Sequence, residues 1–202
     1  MDGVRGTAGY AGNAPWMFAA HEGFEAYHQP VLHLIPDAPC RVLDIGSGPG
    51  VDAAWFAGRG CQVTAVEPTD ELRLPAMAHF PSPAIVWLDD SLPDLEVLTA
   101  RGELFDLILM TGVWMHLDET ERARAMPRIA ARLASGGRLI LSLRPGPVPP
   151  GRVMFEVTGE ETIALGAREG LHTLLNQGAE SVLEINRASK VTWTWVVLDR
   201  SR

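Results

Sequence analysis

Four carboxyl side chains in the first half of the chain follow, or lie near the end of, short apolar runs. Asp44 lies near the end of the first run, Glu67 directly follows the second, and Asp89 and Asp90 follow the third. The runs are residues 42–45, 63–66 and 84–88. Runs of this kind are typical of parallel strands that are buried on both faces. Because such strands end at one edge of a sheet, the acids are placed to accept hydrogen bonds from one polar ligand.

Three glycines, Gly46, Gly48 and Gly50, follow the first acid at alternate positions, and residues 51–56 then suit a helix. Glycine lets the backbone turn sharply and approach a ligand closely. The N-terminus of the following helix offers free N–H groups to an anionic group. A strand, a glycine loop and a helix in this order form the first turn of a nucleotide-binding α/β unit, so the sequence predicts a nucleotide site here.

The details of the loop narrow the choice of nucleotide. The dinucleotide fingerprint has a third glycine where this chain has Val51, and it does not include the acid just before its first glycine. Residues 43–50, Leu-Asp-Ile-Gly-Ser-Gly-Pro-Gly, followed by Glu67 at the end of the next strand, resemble instead the first two motifs of the class I S-adenosylmethionine-dependent methyltransferases. The resemblance implies S-adenosylmethionine as the cofactor. It also implies a Rossmann-like, doubly wound α/β fold, with seven mostly parallel strands and an antiparallel last strand inserted beside strand five.

The expected cofactor contacts combine the resemblance with the strand ends. Asp44 is expected to receive the methionine amino group, Glu67 to bind the ribose hydroxyls, and an acid after strand three to accept the adenine amine. Asp90 is favoured over Asp89 for the adenine. The other expected contacts are Gly46, Ser47, Gly48, Gly50, Pro68, Ser91, Leu92, Thr111, Gly112 and Trp114. Each acid has an alternative role as a cap at the end of a strand or helix.

Side chains after strands four and five are candidates for handling the methyl acceptor. His116 follows the apolar run 105–110 and could accept a proton from the acceptor, with a structural hydrogen-bonding role as the alternative. Trp114 could shape the pocket, or stack on the adenine or the acceptor. Arg144 follows the run 138–143, where a guanidinium could hold an acceptor carboxylate or phosphate, or form a surface ion pair.

Residues 1–38 form an N-terminal segment that is rich in glycine at first and helical in pattern over 16–28. In the resembled family such a segment lies over the cofactor and helps to form the acceptor pocket. This makes four residues lid candidates, with packing of Trp16 on the sheet as the alternative: Tyr10, Asn13, Trp16 and His21. Residues 39–202 are expected to form the methyltransferase domain, within one structural domain overall.

The remaining elements are expected from periodicity and from breaker residues. A helix from Asp118 is expected to kink or divide at Pro127 and to stop at 135–137, and Thr158 with Glu161 predicts a capping box. Trp193 and Trp195 share one face of the last strand, which favours a role in the core. The other expected helices are 71–80, 95–100 and 158–168, the other expected strands are 105–110, 138–143, 171–175 and 191–198, and 177–190 receives no assignment.

Composition excludes several classes of protein. The chain has 202 residues, 47% of them hydrophobic, and a formal net charge of −8, which argues against a nucleic-acid partner. No apolar run reaches the roughly 20 residues of a membrane helix, and the first residues lack a secretory pattern, so a cytoplasmic location is expected. Cys40 and Cys61 are expected to be reduced core thiols. The six histidines lack metal-ligand spacing, so no metal site is expected.

Together these observations predict an S-adenosylmethionine-dependent methyltransferase that acts on an unidentified small-molecule acceptor. Methyltransferases of DNA-base amines resemble one another in an Asp/Asn-Pro-Pro-aromatic motif after strand four, where this chain has Thr111-Gly112-Val113-Trp114. Enzymes that methylate cytosine carbon use a Pro-Cys pair, and neither cysteine here follows strand four. Two alternatives remain, an NAD(P)-dependent oxidoreductase and an S-adenosylmethionine-binding protein without catalysis. The sequence does not indicate the methylated atom or the oligomeric state.

Overall fold

The computed structural model describes residues 4–19 and 23–201. Within these ranges seven strands form one sheet in the order β3-β2-β1-β4-β5-β7-β6. Strand β7 pairs antiparallel with β5 and β6, and the other neighbouring strands pair in parallel. The expected mostly parallel sheet with an inserted antiparallel last strand is therefore confirmed. The strands are β1 (Arg41–Ile45), β2 (Gln62–Val66), β3 (Ile85–Leu88), β4 (Phe105–Thr111), β5 (Leu133–Leu143), β6 (Leu171–Glu180) and β7 (Thr192–Arg200).

Helices and 3-10 turns connect the strands. The helices are α1 (Ala14–Ala19), α2 (Phe24–His28), α3 (Val51–Gly58), α4 (Asp70–His79), α5 (Glu96–Arg101), α6 (Glu119–Ala130), α7 (Gly159–Arg168) and α8 (Glu184–Ala188). The 3-10 turns are Arg5–Thr7, Ala11–Asn13, Gln29–Leu34 and Trp114–His116. The longest described helix, α6, has 12 residues. None of the described helices is long and apolar enough to cross a bilayer.

The central strands of the sheet are buried on both faces, which is why they are largely apolar. Alternate side chains of β4 point to opposite faces. Leu107 and Leu109 pack in one core cluster with Phe56 of α3, and Ile108 packs in the other cluster with Ile129 of α6. Two layers of helices thus fix the sheet between them, and the carboxyl ends of β1, β2, β3 and β4 form one rigid edge.

The expected single helix over 16–28 is wrong in its continuity, because the structure has two shorter helices, α1 and α2, in this region. Gly23 precedes α2 with φ 85°, a left-handed backbone angle at which α2 begins as a separate helix. A 3-10 turn over Gln29–Leu34, with Pro30 near its start, then leads towards β1. Residues 20–22, which include the lid candidate His21, lie outside the described residues.

The boundary between α6 and β5 also differs from the expectation. Helix α6 is one helix that contains Pro127, and it ends at Ala130. Residues 135–137 do not stop a helix, because they lie inside β5 at an irregularity in its pairing with β4. Gly136 has φ 75° there, and a Cβ on Gly137 would lie 2.8 Å from the Phe105 carbonyl oxygen. The two glycines therefore mark a bulge in a strand.

The C-terminal third is more regular than its sequence indicates. Strand β6 extends to Glu180 and α8 follows, so residues 177–190, which received no assignment, are largely structured. The Thr158 hydroxyl caps α7 by accepting the Glu161 N–H, as the capping box predicts. The Glu161 carboxylate, however, pairs with Arg122 of α6 at 2.8 Å, so it ties two helices together.

Cys40 and Cys61 directly precede β1 and β2, and they lie in contact at the amino ends of these strands, with their Sγ atoms 2.6 Å apart. Both are free and buried, as expected for core thiols. Burial, together with the neighbouring thiol, raises the pKa of Cys40 to about 12. A thiol with this pKa carries almost no thiolate at neutral pH and is a poor nucleophile.

Candidate functional site

A cavity of about 280 Å³ lies at the carboxyl edge of the sheet, where the connections from β1 and β4 diverge. This is the place where open α/β sheets bind ligands. Its lining combines the loops after β1, β2, β3 and β4 with the N-terminal segment and one side chain of β7. The lining includes Arg5, Thr7, Tyr10, Met17, Gly46, Gly48, Glu67, Pro68, Asp90, Ser91, Leu92, Thr111, Gly112, Val113, His116 and Trp193.

The glycine loop is fixed to the end of β2 by its backbone. The N–H groups of Gly46 and Ser47 both donate to the Val66 carbonyl, at 2.8 and 3.0 Å. Gly46 and Gly50 have φ of 71° and 80°, and a Cβ on either would come within 2.5 Å of a neighbouring side chain, Val113 or Trp87. Both positions therefore need glycine for conformation and for space, which leaves the loop close to the cavity.

Glu67 joins the loop after β1 to the start of α4. Its carboxylate accepts the Gly48 N–H at 3.0 Å and the Thr69 N–H at 2.8 Å. The residue is 5% exposed and lines the cavity. Burial raises the pKa of Glu67, and the hydrogen bonds from Thr69 and Gly48 oppose that change. The two backbone donors hold the carboxylate in one orientation, with further lone pairs for ligand hydroxyls.

Asp44 is the most deeply buried acid of the site, at 2% exposure. It accepts the Ala53 N–H, whereas its Oδ2 atom has no hydrogen-bond partner among the described residues. Burial raises the pKa of Asp44 well above its usual range, and the nearby Asp52 and Glu67 raise it further. A buried carboxyl with one free oxygen is costly to leave unpaired, so this position suits a donor group from a ligand.

Asp44 lines a second cavity of about 190 Å³, which shares the walls Met17, Gly46, Gly48 and Thr111 with the first. Ser47 also lines it, and its buried Oγ has no partner within the described part of the chain. His28 closes one side of this cavity. Its Nδ1 donates to the Phe24 carbonyl, and its Nε2 lies 2.9 Å from the Thr111 hydroxyl. Helix α2 is thereby attached to the end of β4.

The two acids after β3 have different surroundings. Asp90 lines the first cavity and accepts the N–H groups of Ser91 and Leu98, at 2.9 and 2.8 Å. The Asp89 side chain is 70% exposed and lies 3.3 Å from the Arg73 guanidinium, away from the cavity lining. The geometry thus agrees with the choice of Asp90 over Asp89, and Asp90 also carries the capping role that was its alternative.

Tyr10 and His116 meet in the part of the first cavity that the N-terminal segment lines. The Tyr10 hydroxyl lies 2.8 Å from His116 Nε2, and His116 Nδ1 lies 2.6 Å from the Val153 carbonyl oxygen. Burial lowers the pKa of His116, and the Arg152 and Arg144 charges lower it further, against the effect of the Val153 carbonyl. Burial also raises the pKa of Tyr10. The Arg152 guanidinium lies 3.3 Å from the centre of the Tyr10 ring.

The N-terminal residues 4–13, which we call the strap, form one wall of this end of the cavity. Arg5 donates to Asp118 at 2.7 Å and to Glu121 at 2.5 Å, and its guanidinium lies over the Phe155 ring. A Cβ on Gly6 would lie 3.2 Å from the His116 Cβ, so the strap passes close to this histidine. Segments that are far apart in the sequence therefore build this wall.

Several expected site residues lie elsewhere. Trp114 is fully buried in the apolar core and is absent from the described cavity lining, so it is not in a position to stack on the adenine or the acceptor. Arg144 is half-buried and donates to the Pro147 carbonyl at 2.9 Å, outside that lining. The structure does not describe the side chains of Asn13 and Trp16. The remaining expected contacts line one or both cavities, apart from Asp89 and Gly50.

Several side chains that line the two cavities are not expected from the sequence, and four of them bear directly on the site. Trp193 was assigned to the core, but it lines the first cavity and its ring lies 3.6 Å from a Cβ built on Gly112. Met17 lines both cavities, and His28 and Asp52 line the second. The spacing of Phe24 and His28 on one helix face could have indicated a buried histidine, whereas no local pattern marks Trp193.

Comparisons with known proteins show the family and the fold of the chain. A family model described as a methyltransferase domain matches residues 19–162. An uncharacterized methyltransferase of Mycobacterium tuberculosis is 33% identical over 106 residues, covering 52% of this chain and 40% of the relative. Glycine N-methyltransferase of Oryctolagus cuniculus is 28% identical over 153 residues, covering 64% of this chain and 52% of the relative. The chain thus spans about two fifths to half the length of these curated relatives.

A solved structure supports the fold. The crystal structure of the N-methyltransferase NodS from Bradyrhizobium japonicum, in complex with S-adenosyl-L-homocysteine, matches with a TM-score of 0.69. The match covers 96% of this chain and 95% of the other, at 20% sequence identity. At this identity the likeness concerns the arrangement of strands and helices, and the side chains of the site must be judged from their own geometry.

Proposed function

Because the chain belongs to the methyltransferase-domain family, we propose that it is an S-adenosylmethionine-dependent methyltransferase acting on a small-molecule acceptor. The observation that carries the proposal is the set of three acids at successive strand ends. Asp44, Glu67 and Asp90 all line the paired cavities, around a loop in which a Cβ on Gly46 would clash with Val113. The family match and the NodS complex with S-adenosyl-L-homocysteine support this choice of cofactor.

The residues present suit the polar groups of this cofactor. The free Oδ2 of Asp44 and the free Oγ of Ser47 would receive the methionine amino group, and the low-dielectric surroundings strengthen such a bond. Glu67, already held by Gly48 and Thr69, would bind the ribose hydroxyls. Asp90, with Ser91 and Leu92, would frame the adenine, while Thr111 and Gly112 would border the methionine end.

The reaction requires alignment more than chemical activation by the protein. When bound, S-adenosylmethionine supplies a methyl group that is already activated by its sulfonium. The chain must hold the acceptor in line with this methyl group and exclude water, and good alignment is worth about 7–11 kcal/mol in intramolecular models. Met17 and Val113 provide apolar walls, and the strap covers the acceptor end of the cavity. We infer that residues 1–38 act as the lid of a catalytic domain formed by residues 39–202.

A small acceptor fits the cavity and the charge of the chain. The space beyond the cofactor-binding residues is bounded by Tyr10, His116 and Trp193, so a compact molecule would fill it. The formal net charge of −8 disfavours nucleic acid as the acceptor. Glycine is the acceptor named for one relative, glycine N-methyltransferase, and it is a reasonable first compound to assay. The two free buried thiols support the prediction of a reducing, cytoplasmic location.

Thermal unfolding with different ligands tests the choice of cofactor. A ligand at about 100 times its Kd stabilises a protein by about 2.7 kcal/mol, and this raises the Tm. S-adenosyl-L-homocysteine should raise the Tm of this protein, NADH should not, and Glu67→Gln should reduce the effect of the former. Stabilisation by NADH alone would instead favour the oxidoreductase alternative, which the replacement of the third fingerprint glycine by Val51 already disfavours.

A methyl-transfer assay separates an enzyme from a cofactor-binding protein without catalysis. S-adenosylmethionine with a labelled methyl group would be incubated with the protein and with small amines, phenols and metabolite extracts. Labelled product is expected from the wild-type chain and should be strongly reduced by Glu67→Gln at low cofactor concentration. Tight binding of the cofactor without any labelled product would favour the non-catalytic alternative.

A further inference from the structure

The hydrogen bonds between Tyr10, His116 and Val153 have only one direction when the histidine is neutral. The Val153 carbonyl can only accept, so His116 Nδ1 carries the hydrogen of the 2.6 Å bond. The Nε2 atom of a neutral imidazole is then an acceptor, and the Tyr10 hydroxyl must donate to it across 2.8 Å. The oxygen of Tyr10 keeps lone pairs that can accept a further hydrogen bond from the cavity, which both side chains line.

Burial favours the neutral form of both groups, and the nearby arginine charges add to this effect at His116 but oppose it at Tyr10. Burial and the guanidinium groups of Arg152 and Arg144 lower the pKa of His116, so that at pH 7 the imidazole is free to take a proton. The pKa of Tyr10 is raised by burial and by Glu67, and it is lowered by Arg152 and Arg144. Tyr10 therefore remains a neutral phenol. It can give its proton to His116 only if it receives another proton at the same time from a group in the cavity.

From this geometry we propose that Tyr10 relays a proton from the methyl acceptor to His116, so the acceptor is a nucleophile with an N–H or O–H bond. The proposal rests on the proposed function. As the acceptor nitrogen or oxygen bonds to the methyl group, the methyl–sulfur bond breaks and its electron pair stays on the sulfur, which loses its positive charge. The acceptor N–H or O–H bond breaks as well, and its proton moves to Tyr10 Oη. The Tyr10 proton moves at the same time to His116 Nε2, which forms an imidazolium that later loses its proton to solvent.

The strap makes the relay dependent on closure. Tyr10 belongs to the strap, and its partner His116 lies 106 residues away in the 3-10 turn after β4. The bonds from Arg5 to Asp118 and Glu121 hold the strap beside this turn. Without a closed strap, His116 would face the cavity alone and the acceptor would lack its nearest hydrogen-bond partner. The relay would thus be complete only when the acceptor is enclosed.

Two variants and a control test the relay. Tyr10→Phe removes the hydroxyl and keeps the ring beneath Arg152, and His116→Asn keeps a donor for the Val153 carbonyl but has no basic nitrogen. His33→Gln, at an exposed position, is the matched control. Binding of S-adenosyl-L-homocysteine is measured for each variant by calorimetry. Methyl transfer is then measured from pH 5 to 9 with amines and phenols, and with thioethers and pyridine-type nitrogens, whose lone pairs carry no proton.

The relay predicts a selective loss. His116→Asn should lower kcat for amines and phenols by about 100-fold or more, and Tyr10→Phe by a smaller factor, with unchanged affinity for S-adenosyl-L-homocysteine. The acidic decline in the wild-type rate should disappear in His116→Asn. Transfer to thioethers and pyridine-type nitrogens should be unaffected. Equal losses for both kinds of acceptor, or unchanged rates for amines and phenols, would overturn the relay.

An acceptor-independent measurement keeps the relay testable if no turnover is found. The nitrogen chemical shifts of His116, with S-adenosyl-L-homocysteine bound, should report a neutral imidazole with its hydrogen on Nδ1 at pH 7. A hydrogen on Nε2 would overturn the relay, whatever the activity. A chain that does not bind S-adenosyl-L-homocysteine would contradict the proposed function instead, because neither Tyr10 nor His116 is expected to contribute to cofactor affinity.

Discussion

The two ends of the site are built in different ways. At the cofactor end, the bond between Glu67 and Gly48 spans 19 residues, and the three acids Asp44, Glu67 and Asp90 lie at or just after the ends of successive strands. At the acceptor end, Tyr10 and His116 are 106 residues apart, Arg5 and Asp118 are 113 apart, and the Val153 carbonyl belongs to a third segment. The first end is set by local sequence, and the second depends on how the whole chain packs.

This difference predicts whether a substitution will change ligand affinity or stability. A change at the cofactor end should affect ligand affinity and leave the fold largely intact, because the sheet holds the strand ends in place. We call the strap, the turn Trp114–His116 and the segment around Val153 the acceptor wall. A change in the contacts that bring these distant segments together should affect the stability of the acceptor wall first. Four predictions test this contrast, beginning with the largest expected effect.

Arg122 of α6 connects segments that lie behind the acceptor wall. It is 3% exposed, and it donates to the Glu161 carboxylate of α7 and to the carbonyls of Leu117 and Glu156. Arg122→Met keeps much of the stem but leaves Glu161 without its partner. The Glu161 side chain is 30% exposed and can be hydrated, but the Leu117 and Glu156 carbonyls also lose their donor. The free energy of unfolding, measured by denaturant titration, should therefore fall by about 2–4 kcal/mol.

The neighbouring Arg124 provides the control for this prediction. It pairs with Asp94 at 3.1 Å, but its side chain is 54% exposed. Arg124→Met should therefore cost less than about 1 kcal/mol. The double variant Arg122→Met, Glu161→Met should recover part of the loss, because the half-buried Glu161 charge then no longer lacks a partner. Equal effects at Arg122 and Arg124 would mean that the acceptor wall does not depend on the buried pair.

Glu67 tests the cofactor end. Glu67→Gln keeps the shape of the side chain but removes its charge and one acceptor. If the carboxylate binds ribose hydroxyls, affinity for S-adenosyl-L-homocysteine should fall by about 1–3 kcal/mol, or about 5- to 150-fold in Kd by calorimetry. Glu71→Gln, at an exposed position on α4, is the control and should leave Kd unchanged. An unchanged Kd for Glu67→Gln would remove this assignment.

Asp44 should couple cofactor binding to pH. Its pKa is raised well above 3.8 in the free protein, so stability is lost as pH rises from the unfolded pKa towards the folded one. A bound ammonium group would favour the ionised carboxyl and release its proton. Affinity for S-adenosylmethionine should therefore increase with pH in that window, by at most about tenfold per pH unit.

Calorimetry in two buffers of different ionisation enthalpy measures the protons released on binding. Asp44→Asn should abolish most of the release and flatten the dependence of Kd on pH. Glu67 also has a raised pKa, so the same measurement on Glu67→Gln separates the two acids. Binding without any proton release in the wild-type chain would contradict a direct contact between Asp44 and a cationic group.

Arg5 should give the smallest effect on stability. Its ion pairs with Asp118 and Glu121 are exposed and screened by salt, so Arg5→Ala should change the Tm only slightly. The variant should, however, increase hydrogen exchange of the strap amides, because the strap loses its attachment to α6. If neither Arg5→Ala nor 0.5 M salt changes the hydrogen exchange of the strap amides, other contacts must hold the strap.

The sequence predicted the cofactor end better than the acceptor end, for a physical reason. Glycines with positive φ and acids that end apolar strands are local requirements, so Gly46, Glu67 and Asp90 could be expected at the site from local sequence together with the family resemblance. Trp114 was misplaced because a large aromatic side chain after a strand suits a pocket and a core equally well. Trp193 could not be found in this way, because its position depends on the insertion of β7 beside β5.

The errors in the elements have the same origin. Gly136 and Gly137 are typical of a helix end, but here they lie in a β-bulge, whose position depends on the pairing of β5 with β4. The strand alternation over 177–180 is hidden by polar residues, because β6 is the outer strand and much of it is exposed. Helix α2 begins as a separate helix after Gly23, and the helical spacing of apolar residues alone does not reveal this break. Long-range pairing therefore decided the elements that local pattern could not.

The place of β7 inside the sheet has a consequence for the order of events during synthesis. Strands β5 and β6 leave the ribosome before β7 and pair with it rather than with each other, so both keep open edges until residues 192–200 are available. Trp193 arrives with the same strand. In a nascent chain the glycine loop is synthesised long before Trp193, which forms part of the cavity wall. The cavity is therefore incomplete, and cannot enclose an acceptor, until the last strand has been made.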